Sequence, residues 1–112
     1  MEFPVDYEKL NEFVIANGLL DLTRELLRKC LISLYEDDHL AFEEWFSADA
    51  ETVIKQYSFI TEGFSFSRSL SHDPPLNYIS VWIRIYDLDG DYLGEYTAFF
   101  DSNLNCIDDN LK

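Results

Sequence analysis

Positive charge is scarce in this sequence. Eight Lys and Arg residues stand against 22 Asp and Glu, a net charge of −14 over 112 residues. A field of that sign repels DNA, RNA and anionic membranes, so none of these is expected as a partner. Long hydrophobic runs are missing too, and no stretch approaches the roughly 20 apolar residues of a membrane span. The opening Met1-Glu2-Phe3-Pro4-Val5-Asp6 has no basic flank and no apolar core, and is not expected to be a signal peptide. Cysteine is limited to Cys30 and Cys106, far apart and in no metal-ligand spacing. No disulfide framework is implied, which fits a reducing cytoplasm, and Cys30 in its leucine-rich stretch reads as a small buried residue.

Catalytic signatures are equally sparse. The two histidines, His39 and His72, form no ligand pair and read as surface residues. There is no Gly-x-Ser-x-Gly, no Gly-rich phosphate loop and no His-Glu-x-x-His. The expectation is a protein that is not an enzyme, with no catalytic residue, no cofactor and no metal.

What is present is core-forming material. Of the residues, 47% are hydrophobic and 16% aromatic, enough for a chain of this length to fold as a single domain, 1–112, without disulfides or metal. The first half reads as helices. Asp6 can cap a helix carrying Tyr7, Leu10, Phe13 and Val14 on one face, with Asn17-Gly18 as its stop. A second helix is expected over 21–35, its apolar stripe made of Leu22, Leu26, Leu27, Cys30, Leu31 and Leu34. Arg24, Glu25, Arg28 and Lys29 fall opposite, with Glu25 and Lys29 in ion-pair spacing. Asp37 or Asp38 caps a third helix that buries Leu40, Phe42, Trp45 and Phe46. Ser47 or Asp49 opens a fourth, with Val53, Ile54, Tyr57 and Ile60 inward and Glu62-Gly63 as its end.

The period then changes from helical to alternating. Phe64-Ser65-Phe66-Ser67 reads as a strand, and His72-Asp73-Pro74-Pro75 as a loop. Over 78–86 the alternation places Ile79, Val81, Ile83 and Ile85 on one face and Tyr78, Ser80, Trp82, Arg84 and Tyr86 on the other. Asp87 to Asp91 form a turn and 92–100 the return strand. A short last strand over 103–107 precedes an acidic tail. A two-residue turn at Asp89-Gly90 sets Arg84 opposite Glu95. A bulged turn sets Trp82 opposite Tyr96 and Tyr86 opposite Tyr92, and is the preferred reading. The expected fold class is α+β: about four N-terminal helices within residues 1–63, packed on a three- to four-stranded antiparallel meander within residues 64–112. Both sheet faces carry large apolar groups, so the face away from the helices is covered by chain or is an interface.

Two features invite chemistry. Asp87-Leu88-Asp89-Gly90-Asp91 suggests a calcium loop, but the sixth and twelfth positions hold Tyr92 and Ala98 where Gly and Glu are needed. A solvated hairpin turn is the better reading. The charge is the other feature. Six acids and four bases lie up to Tyr35, sixteen acids and four bases after it. Acids at helix starts complement the helix dipole, which accounts for Asp37, Asp38 and Asp49 but not for the hairpin or the tail. Glu36, Asp37, Asp38, Glu43 and Glu44, with Asp87, Asp89 and Asp91, are the candidate contacts for a positively charged partner. Trp45, Trp82 and Tyr86 are candidate anchors.

The stretch Val81-Trp82-Ile83-Arg84-Ile85-Tyr86, the Asp-Leu-Asp-Gly turn, Leu93-Gly94-Glu95-Tyr96 and Ile107-Asp108-Asp109-x-Leu111 resembles small acidic immunity proteins of bacterial contact-dependent growth inhibition and polymorphic toxin systems. The resemblance covers the last third of the chain. It implies a cytoplasmic protein that binds a cognate basic toxin domain, often a nuclease, as a 1:1 heterodimer and occludes its active site. It carries no fixed functional residues. The helix-then-sheet order is also similar to cystatin and NTF2-like cone folds, and the alternative reading is a small-molecule enzyme or ligand-binding protein with a pocket between helices and sheet.

Overall fold

A short polar side chain opens each of three helices. In a computed structural model describing residues 6–112, the Asp6 carboxylate accepts the Lys9 amide at 2.9 Å and opens α1 (Tyr7–Ala16), which buries Leu10 and Val14. The expectations for the opening residues and for the Tyr7 side chain lie outside what is described. Asn17 and Gly18 end α1, and Gly18 takes the left-handed conformation (φ 64°) that leads directly into α2 (Leu19–Asp37).

The buried line of α2 is Leu19, Thr23, Leu27 and Leu31, one residue every four. This corrects the expected stripe, since Leu22 and Leu34 are 38% and 37% exposed. Thr23 fits the core because its hydroxyl donates to the Leu19 carbonyl at 2.6 Å, so no polar group is left unpaired. Glu25 pairs with Arg28 one turn on, in place of the expected Lys29.

Asp38 caps α3 (His39–Phe46) through the Ala41 amide at 3.1 Å. Phe42 and Phe46 are buried, whereas Leu40, expected inside, is 78% exposed. Asp49 caps α4 (Ala50–Gln56) through the Thr52 amide at 2.8 Å.

The chain leaves helix at Tyr57, earlier than the Glu62-Gly63 stop expected from its periodicity. The first strand, β1 (Ser58–Ser69), therefore begins inside the stretch whose period is helical. The physical reason is pairing: β2 (Leu76–Tyr86) runs eleven residues, and its last third bonds to Ser58, Phe59, Ile60 and Thr61. Ile60 consequently faces away from the helices and is 48% exposed. Gly63 is no helix stop; it sits where the β1–β2 register slips by one residue.

The sheet continues through β3 (Tyr92–Phe100) to β4 (Cys106–Leu111) as an antiparallel meander in the order β1-β2-β3-β4. The last strand lies later than the expected 103–107 and takes Asp108 and Asp109 into the ladder, so these acids are no free tail. A sheet edge tolerates such charges because one side of it meets water. In the β2–β3 hairpin the two alternative registers are both partly realised. Gly90 turns with φ 83° and Tyr86 faces Tyr92, but Arg84 faces Glu95 and Trp82 faces Thr97 instead of Tyr96. The slip falls between Ile85 and Tyr86, where Leu93 is the extra residue of β3.

Ile79, Val81, Ile83 and Ile85 from β2, with Tyr96, Ala98 and Phe100 from β3, form the inner face. Each has zero exposure, packed with Val14, Leu19, Leu31, Phe46 and Val53. Burial of each large apolar side chain contributes about 1.5–3 kcal/mol. The fold is thus α+β, helices preceding strands, in two layers. Among the described residues no helix is long and apolar enough to cross a membrane.

Candidate interaction surface

The residues singled out by sequence fall into two neighbouring patches. The first is the end of the molecule where the helices meet the β2–β3 hairpin. Glu36 and Asp37 occupy the last turn of α2, and Glu43 and Glu44 the last turn of α3; neither last turn holds a base. A helix C-terminus carries about half a negative charge, so acids there are disfavoured. The dipole accounts for Asp38 and Asp49, which cap helix starts. It does not account for Glu43 and Glu44, while Glu36 and Asp37 lie between the C-terminus of α2 and the N-terminus of α3, where the two dipoles act in opposite senses. All five acids from Glu36 to Glu44 are exposed. Between Lys29 and Lys55 the chain holds seven acids and no Lys or Arg.

Trp45 ties this region to the hairpin. Its indole Nε1–H donates to the Leu93 carbonyl at 2.9 Å, and its ring stacks on Phe46 with centroids 4.8 Å apart. Tyr57 donates its hydroxyl to the Phe46 carbonyl. Burial raises the Tyr57 phenol pKa, and the nearby charges of Asp87 and Asp89 raise it further. At the turn itself the Asp87 carboxylate accepts the amides of Asp89 and Asp91, each at 2.9 Å. Carboxylate oxygens of Asp87, Asp89 and Asp91 lie within 4.8 Å of one another. Asp87 is already engaged in holding the loop, as in other Asp-initiated turns.

The second patch is the outer face of the sheet. Trp82 and Tyr86 stand there as expected from the alternation. They are joined by Tyr78, which the alternation also puts on this face, by Tyr92 opposite Tyr86 as the bulged register expects, and by Ile60 and Phe99, which sequence reasoning did not place here. The Tyr86 and Tyr92 rings meet edge to face at 5.9 Å, as do Tyr78 and Phe99. Trp82 lies across β1 at Gly63, where a Cβ would sit 3.0 Å from its Cζ2. Arg84 donates from Nε to Glu95 at 3.3 Å and its guanidinium carbon lies 6.0 Å from the Tyr92 ring centroid. No helix among the described residues covers these side chains, although the signal was available: both faces of β2 alternate with large side chains.

The remaining candidates are ordinary. His39 stacks on Tyr35 at 4.1 Å, and His72 Nδ1 lies 3.2 Å from the Ser69 hydroxyl. Cys30 is half-buried and Cys106 exposed, and burial raises both thiol pKa values. An open cleft of about 250 Å³ between α2 and the start of β1 has Leu27, Leu31, Ile54 and Phe59 in its lining, with Arg24 and Arg28. Among the described residues the buried polar side chains are Thr23 and Ser80, and no carboxylate is buried.

Compared with known proteins, the chain matches no family model, no curated protein and no solved structure.

Proposed function

We propose that this chain is a protein-binding module for a cationic protein partner, and specifically an immunity protein that neutralises a basic bacterial toxin domain. A nuclease is the leading case. The observation that carries this reading is the placement of Glu36, Asp37, Glu43 and Glu44 in the last turns of α2 and α3. Acids in a helix's last turn are disfavoured by its dipole, and of these four only Glu43 takes a side-chain hydrogen bond among the described residues, a long one from the Tyr35 hydroxyl at 3.5 Å. A basic partner supplies the missing counter-charge. With Asp87, Asp89 and Asp91 at the adjoining hairpin, the carboxylates take the place of phosphates in the partner's groove. The mechanism is occlusion in a 1:1 heterodimer, within the cytoplasm that both proteins share, and acidic steering speeds encounter.

The alternative, a small-molecule enzyme, calls for a deep pocket holding a buried acid. The clefts here are open, and their acids are solvated. The decisive experiment is stopped-flow association with the product of the adjacent gene across a salt series. The association rate is expected to fall steeply with salt and to drop on reversal of Asp37, Glu44, Asp89 and Asp91 to Lys. Absence of binding, or a rate indifferent to salt and to these reversals, overturns the reading.

A further inference from the structure

The helical layer covers one face of the sheet and leaves the other to solvent. On the half of that outer face nearest the hairpin stand Ile60, Trp82, Tyr86 and Tyr92, two of them, Ile60 and Tyr92, 48% and 56% exposed. Four large apolar side chains on one flat surface mark a contact site more often than a solvated face. The charges interleaved with them narrow the occupant. Glu62 and Glu95 lie beside Arg84, Lys112 is the backbone partner of Glu95 at the sheet edge and the second cation of this end, and Asp87, Asp89 and Asp91 continue the surface at the hairpin tip. Among the described residues Glu62 and the three hairpin aspartates form no ion pair.

Arg84 shows what the surface does with a cation. Its guanidinium is hydrogen-bonded by Glu95, lies over Tyr92, and is close enough to Tyr86 and Glu62 to be held charged by both. Carboxylate on one side and aromatic ring on the other is the arrangement that binds Arg and Lys side chains. Gly63 contributes by what it lacks, since its missing side chain leaves room for the Trp82 ring to lie across β1.

We infer that the outer sheet face at the hairpin end is the docking surface for a cation-rich protein partner, whose Arg and Lys side chains settle on Trp82, Tyr86 and Tyr92 between Glu62 and the hairpin carboxylates. This rests on the proposed cationic partner and adds the surface that receives it. On this assignment the acids of α2 and α3 and the hairpin carboxylates face the partner's groove, while the aromatic sheet face beside them holds its Arg and Lys side chains.

The two tryptophans allow a direct test, because Trp82 lies on this face and Trp45 on the helical side. Single-tryptophan proteins W45F and W82F are titrated with octa-arginine and, as control, with a neutral Gly-Ser octapeptide, followed by fluorescence and calorimetry. Octa-arginine is expected to change Trp82 emission saturably and salt-dependently in W45F, and to leave Trp45 unchanged in W82F. Tyr86→Ala with Tyr92→Ala is expected to weaken the Trp82 response roughly fivefold or more, and Tyr92→Ala alone serves if the pair fails to fold. A response of Trp45 without Trp82, or calorimetric binding that moves neither, overturns the surface assignment and leaves the cationic partner standing. A Trp82 response indifferent to the tyrosine substitutions overturns the aromatic docking. Absence of calorimetric binding overturns the surface assignment together with the cationic-partner reading beneath it.

Discussion

The indole of Trp45 bonds to the carbonyl of Leu93, the single residue of β3 left over where the hairpin register slips. A bulged backbone carbonyl loses its ladder partner, and Trp45 replaces it. The bond joins α3 to the base of the hairpin across 48 residues of sequence. Trp45→Phe is therefore expected to lower unfolding free energy by about 1–2 kcal/mol in urea titration. Trp82→Phe, on the open sheet face, should cost less than half as much. Equal losses would mean that the Trp45 bond contributes nothing.

Acids in the last turn of α3 lead to an unusual expectation, that removing them improves the free protein. Glu44→Lys should stabilise it by about 0.3–1 kcal/mol at low salt, while Asp37→Lys, between the end of α2 and the start of α3, should change it little. Asp38→Ala and Asp49→Ala, which delete helix caps, should each destabilise it by about 0.5–2 kcal/mol. Chemical denaturation of the four variants separates the two classes. A loss of stability in Glu44→Lys would show that the acid has a structural role.

Tyr96 predicts the alkaline limit. Its phenol is fully buried, donates to Asp109 at 2.7 Å, and has a strongly raised pKa, through burial first and then the Asp109 bond and charge. Below the unfolded value of about 10 both states keep the proton and this contribution is complete. Above it the unfolded chain ionises first, so stability falls by up to about 1.4 kcal/mol per pH unit from this group. Tyr96→Phe should flatten that decline, at a cost of about 1 kcal/mol at neutral pH. An unchanged slope between about pH 10 and 12, just above the unfolded value, would assign the loss elsewhere.

Gly94 and Gly63 are both close-approach positions, but with different neighbours. A Cβ at Gly94 would lie 2.7 Å from the Lys112 carbonyl oxygen, which the Glu95 amide already binds at 2.9 Å. Backbone cannot yield there without loosening β4, so Gly94→Ala should cost about 1–3 kcal/mol. At Gly63 the neighbour is the Trp82 ring, which has solvent to move into. Gly63→Ala should change stability less and shift Trp82 emission instead. Thermal melts with emission spectra of both variants decide the order.

The hairpin aspartates should not behave as a calcium loop. Asp87→Ala, losing two amide partners, should destabilise by about 1–2 kcal/mol, and Asp89→Ala hardly at all. Calorimetry should find no stoichiometric micromolar calcium site; one that vanished in Asp89→Ala would reverse this.

Features decided within a few residues are legible in the sequence. Asp6 caps its helix as expected, Asp38 and Asp49 are the caps used among the alternatives Asp37 or Asp38 and Ser47 or Asp49, and Ile79 to Ile85 alternate into the core. Sequence and structure diverge where a distant partner decides. Val53, Ile54, Tyr57 and Ile60 satisfy a helical period, and only pairing with Arg84 and its neighbours turns the last of them into strand. Thr23 is polar by residue type, and the carbonyl one turn back that satisfies its hydroxyl is invisible there. The total of acids is plain from composition. Their placement is half legible: a third helix ending at Phe46 already puts Glu43 and Glu44 in its last turn, whereas Glu36 and Asp37 reach a helix C-terminus only because α2 runs two residues past its expected end. That the sheet has two apolar faces is also plain, but which one the helices cover is not.

The order of helices before meander also governs how the chain is made. Leu19, Leu27, Leu31, Phe42 and Phe46 leave the ribosome ahead of every strand they rest on. Short amphipathic helices without a floor are marginal in water, so the first half of the nascent chain presents apolar surface with nothing to cover it. The sheet then assembles by neighbour-to-neighbour pairing, with no crossover to wait for. Completion is quick once β3 has emerged, because each pairing closes only a short loop. Until then the apolar helix faces have no floor, and a product truncated before Phe100 is expected to aggregate instead of folding in part.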